Sequence, residues 1–392
     1  ILNRNIMIGK QSQKKKYPLV NWADGMPVNK GHFTQQEDHF TDRLCEYQSF
    51  YLNRNTYGLL PFRKGESVSG DFSITELVTG TLEVRLKRCH ALTAGGYLID
   101  YDAGDDDELT ASFHISTDET EEKDRRWDVI LMADPFEHLP SGVPDEKEIS
   151  PRQPNALPKY ALSVLPTGQT DGSELGRHFL LIGRLRKNGN RCEVDGNFIP
   201  PCTSMSSHPD LKGYYTKFGQ LVDSIEKASF DILAKVENAE KQTDLATNIG
   251  MLCRHVMLFI SDIYFSFRNE GQYYSPLRFL NVFSTLAHHL YVCLSFMDKE
   301  EKEDLLKYFN EWNGITPGAY EGLLRENSGL LYNHHNIRQL MVTAERFLYL
   351  FNDLWTTLSR LEYIGKHKEN IVVAERSRQP KESSESRWNI LD

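Results

Sequence analysis

The spacing of the apolar residues changes once along this chain, and that change restricts the fold more than any other feature. From about residue 60 to 200 the period is two: Leu82, Val84 and Leu86 alternate with Glu83, Arg85 and Lys87, and Leu109, Ala111, Phe113 and Ile115 repeat the pattern, as do Trp127, Val129 and Leu131. Alternation of this kind puts one face of a strand in a core and the other in water. After "NFIPPCTSMSSHPD" (197–210) the apolar residues recur every three or four positions, as in Leu211, Phe218, Leu221, Val222, Ile225, Ile232, Leu233 and Val236, which predicts one face of a helix about 28 residues long. A chain whose strands precede its helices belongs to the α+β class. The expected architecture is an N-terminal antiparallel β-sandwich followed by an antiparallel α-helical bundle.

Turn and cap residues refine this expectation. In "FLLIGRLRKNGNRCEVD" the pair Asn188-Gly189 accepts the positive φ of a type I′ turn and predicts a hairpin. "DAGDDDE" and the Pro-rich stretch 139–158 read as long exposed loops. Among the helices, Thr243 is placed to cap a second one, Ser275-Pro276 a third, Asp298 with Glu301 a short fourth and Thr316-Pro317 another. A last long helix is expected over about 336–363, carrying Ile337, Leu340, Ala344, Phe347, Phe351, Trp355 and Leu358. Leu280, Phe283, Leu290, Phe347, Phe351 and Trp355 are the expected core of the bundle and of its packing against sister copies. The expected divisions are an N-terminal interface segment (1–40), a sandwich (41–205), a helical bundle (206–365) and a polar, disordered tail (366–392) in which Trp388, Ile390 and Leu391 could form a short docking motif.

Composition removes several classes of function. The formal charge is -10 and no basic face is evident, so no nucleic-acid partner is expected. No uninterrupted run of about 18 apolar residues suggests a membrane span, and the first twenty residues lack the apolar core of a signal peptide, so the expected location is the cytoplasm. Six cysteines without metal or redox spacing read as reduced thiols. The sequence contains no GxGxxG, GxxxxGK[ST], HExxH or GxSxG motif. The acidic "DYDAGDDDE" lacks calcium-loop order, Cys192, Cys202 and His208 have poor zinc spacing, and the tandem pairs His288-His289 and His334-His335 read as core or capping histidines. No catalytic residue, metal or cofactor is expected.

One segment fits neither period. "YPLVNWADGMPVNKGHFTQQEDHF" (17–40) concentrates Trp, Met, His and Gln with few net charges. Such a composition suits a buried protein contact, in which aromatic and Met side chains supply anchoring area and amides satisfy backbone groups. The alternatives are that Trp22 and Met26 fill the sandwich's own core, with "FTQQEDHF" an ordinary helix start behind Thr34, or that the segment packs within an oligomer.

Here the sequence resembles the TssK family, the baseplate subunits of bacterial type VI secretion systems, whose members open with a pattern close to V-x-W-x-x-G-M-x-x-x-x-x-H-F-x-Q-Q. Val20, Trp22, Gly25, Met26, His32, Phe33, Gln35 and Gln36 match it. "YGLLP" (57–61), "CHALTAGGYLID" (89–100), "NFIPPC" (197–202), "SPLRFLNVFSTLAHHL" (275–290) and "LYNHHNIRQLM" (331–341) are similar to the family's later landmarks in the right order. The resemblance implies a non-catalytic homotrimer, with a sandwich akin to the shoulder of phage receptor-binding proteins above a bundle around the threefold axis. It also implies binding of the TssF and TssG wedge subunits, with Asn21, Trp22, Gly25, Met26, His32, Phe33, Gln35 and Gln36 as expected contact residues. Most family members continue into a C-terminal domain that docks on the inner-membrane complex; here a polar tail follows the last helix, so the resemblance leaves that docking open. A carbohydrate- or receptor-binding sandwich of a phage-like particle is the alternative function.

Overall fold

The computed structural model describes residues 17–78, 80–104, 109–115, 125–168, 175–188, 191–239 and 242–368. The chain divides into two compact units, Ile1–Leu211 with Asn333–Ile337, and Lys212–Tyr332 with Arg338–Asp392.

The first unit begins with helix α1 (Lys30–Tyr51) and continues with β1 (Gly58–Leu59), β2 (Gly70–Val78), β3 (Thr81–Leu92), β4 (Leu98–Asp102), β5 (Leu109–His114), β6 (Arg126–Ser141), β7 (Asn155–Pro166), β8 (Phe179–Asn188) and β9 (Arg191–Val194). Two antiparallel sheets result. In one, β3 is central, with β2 and β1 along one edge and β5 and β4 along the other. The other has the order β7-β6-β8-β9. The expected alternation governs β3, where Leu82, Val84 and Leu86 are buried and their neighbours Glu83, Arg85 and Lys87 are half-buried or exposed. Their faces meet through Phe113 against Trp127 (5.9 Å) and Tyr101 against Tyr160 (5.6 Å). Val84, Leu86, Cys89 and Ile99 from one sheet and Val129, Leu131, Leu180 and Leu185 from the other are wholly buried, forming a sandwich core. On the opposite face of the β7-β6-β8-β9 sheet Arg184 holds Asp128 at 2.7 Å and lies 4.3 Å over the Phe198 ring, while Thr167 donates to the same carboxylate at 3.0 Å. The β8–β9 hairpin forms where it was expected, with Asn188 paired to Arg191; Gly189 lies outside the described residues, as do 105–108 of the acidic loop and the tail from 369, including Trp388, Ile390 and Leu391.

The second unit contains α2 (Pro209–Glu237, from Lys212), α3 (Asp244–Glu270), α4 (Pro276–Phe296), α5 (Lys299–Asn313), α6 (Pro317–Ser328) and α7 (Ile337–Ser359, from Arg338). The caps read from the sequence act as caps. Thr243 accepts from the Ala246 amide, Ser275 from Arg278, Asp298 from Glu300 and Thr316 from Ala319. Phe218, Phe267, Phe279 and Phe283 form one aromatic cluster; Phe309, Phe351 and Trp355 form another. The Trp355 indole N–H donates to Ser229 Oγ at 3.0 Å, so its polar atom is satisfied in the interior.

By length and composition alone, Asp244–Tyr273 and Pro276–Phe296 are apolar enough to cross a bilayer, each with an 18-residue mean hydropathy of 1.3. Both place apolar residues in the unit's core, including Ile249, Leu252 and Val256 on α3 and Leu286 and Leu290 on α4.

Candidate functional site

The segment 17–29 is an irregular strap that turns back onto the start of α1. The turn is set by Gly25, at φ 78, a left-handed conformation that L side chains adopt at a penalty. It closes with the Met26 amide donating to the Ala23 carbonyl (3.2 Å) and the Ala23 amide to Met26 Sδ (3.4 Å). Asn29 caps the helix: its carbonyl accepts from the His32 amide (3.2 Å), while its own amide donates to His32 Nδ1 (3.3 Å). The helix therefore starts at Lys30, one turn before the start expected behind Thr34, because Asn29 and His32 supply a cap that the sequence reading overlooked. It runs on past residue 40 to Tyr51.

Most of the candidate residues converge here. The Trp22 indole N–H donates to Gln36 Oε1 at 2.9 Å, and its ring meets His32 edge-on (6.0 Å) and Phe33 at a tilt (6.3 Å). Gln35 Nε2 donates to the Pro18 carbonyl at 3.1 Å, and His39 Nδ1 donates to the Tyr17 carbonyl. Tyr17 in turn stacks on Phe136 of β6 at 4.2 Å. Asn21 and Gly25 are exposed, and Met26 is half-buried. Trp22 remains 47% exposed, so neither it nor Met26 fills the sandwich core.

The helix is amphipathic in the unusual direction. Cys45 is its buried residue, and burial pushes that thiol up to about 11. At the same point Gly96 (φ +81) comes so close that an added Cβ would lie 2.3 Å from the Cys45 carbonyl oxygen. The opposite face carries Phe33, Phe40, Leu44, Tyr47 and Tyr51, at 57%, 53%, 63%, 61% and 74% exposure. This is more exposed apolar area on one face than the singly scattered apolar residues of an ordinary surface. Of these residues only Phe33 was singled out from the sequence; the spacing 33, 40, 44, 47, 51 was the signal available for the others.

The remaining candidates lie elsewhere. Leu280, Phe283, Leu290, Phe347, Phe351 and Trp355 are buried inside one copy's helical unit, which leaves them no surface to offer a sister copy. His334 is buried in the first unit, its Nε2 donating to the Tyr57 carbonyl (2.7 Å), and the neutral His335 Nε2 lies 2.7 Å from the Tyr57 hydroxyl. Burial pushes His334 down to about 4. Among the described residues no group of three or more His, Cys, Asp or Glu side chains is placed to hold a metal ion.

Comparison of the sequence with protein-family models and with curated proteins finds no match. Comparison of the fold does. An antiparallel β-sandwich unit bearing an outward-facing aromatic helix, together with a helical unit, defines an α+β protein. Its fold is that of TssK. The crystal structure of TssK matches it with a TM-score of 0.54 at 15% identity, covering 85% of this chain and 70% of that one. TssK from the EAEC type VI secretion system, in complex with a nanobody, gives 0.46 at 16% identity over 84% and 100% of the two chains. The cryo-electron microscopy structure of the type VI secretion TssK-TssF-TssG baseplate subcomplex gives 0.46 at 14% identity over 86% and 99%.

Proposed function

We propose that this protein is a non-catalytic structural adaptor of a type VI secretion baseplate: a homotrimer that holds TssF and TssG wedge subunits through the strap and α1, in the cytoplasm and recruited to the inner-membrane face. The observation that carries this reading is the outward aromatic face of α1, continued by the half-exposed Trp22. It gives a protein with the TssK fold a large apolar surface that the described residues leave uncovered. In the solved baseplate subcomplex TssK assembles with TssF and TssG, and the same two proteins are the partners to test here. The Trp22–Gln36 bond and the Gly25 turn hold the strap against the helix in advance, which lowers the ordering cost of docking.

The test is co-purification. A chain carrying Trp22→Ala and Gln36→Ala loses TssF and TssG while its native mass stays that of three copies and its circular dichroism is unchanged. Undiminished wedge binding by the double variant, or a wild-type mass other than a trimer, would overturn the reading.

A further inference from the structure

The uncovered residues of α1 follow a definite order. Phe33, Phe40 and Tyr47 stand seven apart, as do Glu37, Leu44 and Tyr51, and the two rows interleave at alternate steps of four and three. That is the a/d pattern by which one helix packs along another, with Phe33, Phe40 and Tyr47 at d and Glu37, Leu44 and Tyr51 at a. All six are exposed. Cys45 lies off this seam and is buried, so the seam points away from the sandwich.

Its length fits a helical partner. From Phe33 to Tyr51 is about 27 Å of helix at 1.5 Å per residue, and five large side chains, each with roughly half to three quarters of its surface in water, offer roughly 600 Å². That is a substantial part of one side of a stable interface.

Charge selects the kind of helix. Glu37 is the single charged residue within the seam, and among the described residues it has no ion-pair or hydrogen-bond partner. The cation flanking the seam, Arg43, is already held by Glu46 at 2.9 Å. Parallel pairing with a second copy would place Glu37 against Glu37. Antiparallel pairing about the middle of the seam would place it against Tyr47. Neither arrangement brings a free cation to a carboxylate that is losing its water, which is costly.

From this pattern we infer that the α1 seam receives an amphipathic helix of a different polypeptide, carrying a Lys or Arg that meets Glu37. The inference rests on the adaptor reading for the partner's identity, TssF or TssG, but its geometry belongs to this chain.

The experiment is photo-crosslinking of the full chain, with p-benzoylphenylalanine placed at Phe40 or at Tyr47, co-expressed with TssF and TssG and mapped by mass spectrometry. Both positions are exposed, so the substitutions leave the fold intact. The two positions are expected to mark residues about seven apart within one segment of TssF or TssG, two turns of a helix. Glu37→Lys is expected to weaken wedge binding at least tenfold, with the trimer mass unchanged and Glu37→Gln closer to wild type. Crosslinks into a second copy of this chain, crosslinks at period-two or scattered positions, or indifference to Glu37→Lys would overturn the inference. Wedge binding without any crosslink from either position would sink the seam and spare the adaptor reading. Helix-spaced crosslinks into another protein would sink the adaptor reading and spare the seam.

Discussion

Replacing Gly96 by Ala should loosen α1 from the sandwich, and the size of the effect follows from two local facts. Gly96 sits at φ +81, where an L residue costs about 1–2 kcal/mol. The new Cβ would also lie 2.3 Å from the Cys45 carbonyl oxygen and 3.1 Å from Gln48 Cβ. A backbone atom cannot rotate aside, so the overlap adds about 1–3 kcal/mol of overpacking. The docked helix should therefore lose about 2–5 kcal/mol. Cys45 reports this directly, because it is buried only while α1 is docked and its burial pushes the thiol up to about 11. A loss of 2 kcal/mol raises the population of the open form about 30-fold, and the maleimide labelling rate of Cys45, read peptide by peptide in a mass spectrometer, should rise at least that much. Cys253, buried on α3 in the other unit, should keep its wild-type rate, which separates local release from global unfolding. Unchanged Cys45 labelling in Gly96→Ala would refute this reasoning.

Three further outcomes are expected. Asp128→Ala leaves the Arg184 guanidinium beside Phe198 without its carboxylate and should destabilise that unit by about 3–5 kcal/mol in denaturant titration; a loss below about 1 kcal/mol would mean that the pair is dispensable. Trp355→Ala, at a wholly buried ring 4.3 Å from Phe351, should cost the helical unit about 3–5 kcal/mol, and Trp355→Phe distinctly less, in thermal or chemical unfolding. His334 titrates in the folded state at about 4 rather than at its ordinary 6.5, chiefly because it is buried. The unfolded chain thus takes up its proton first, so this residue's contribution is complete above about pH 6.5 and declines by about 3 kcal/mol as pH falls to 4. A His334→Gln variant should have a flatter stability profile over that window, and a profile as steep as wild type would contradict the assignment.

Much of the fold can be read from the residues because each local signal agrees with the tertiary one. Thr243, Ser275-Pro276, Asp298 and Thr316-Pro317 each mark a helix start, and Leu82, Val84 and Leu86 point into the core that their alternation implies. The first helix eludes the same reading for a physical reason. A period-3.6 stripe is recognised by assuming that apolar residues face the core, whereas Phe40, Leu44, Tyr47 and Tyr51 face water and Asp38, Asp42 and Glu46 are the half-buried ones. The strap was legible as chemistry and not as shape: Trp22 and Gln36 are fourteen residues apart, and nothing in either residue announces the bond between them. Likewise, the periodicity of Phe347, Phe351 and Trp355 signals burial but not whether a sister copy or the same chain provides it; the same chain does.

The native mass of this chain mixed with purified TssF and TssG tests the adaptor reading most directly. A species containing three copies of the chain together with wedge subunits is expected. A monomer that leaves TssF and TssG unbound at micromolar concentration would contradict it.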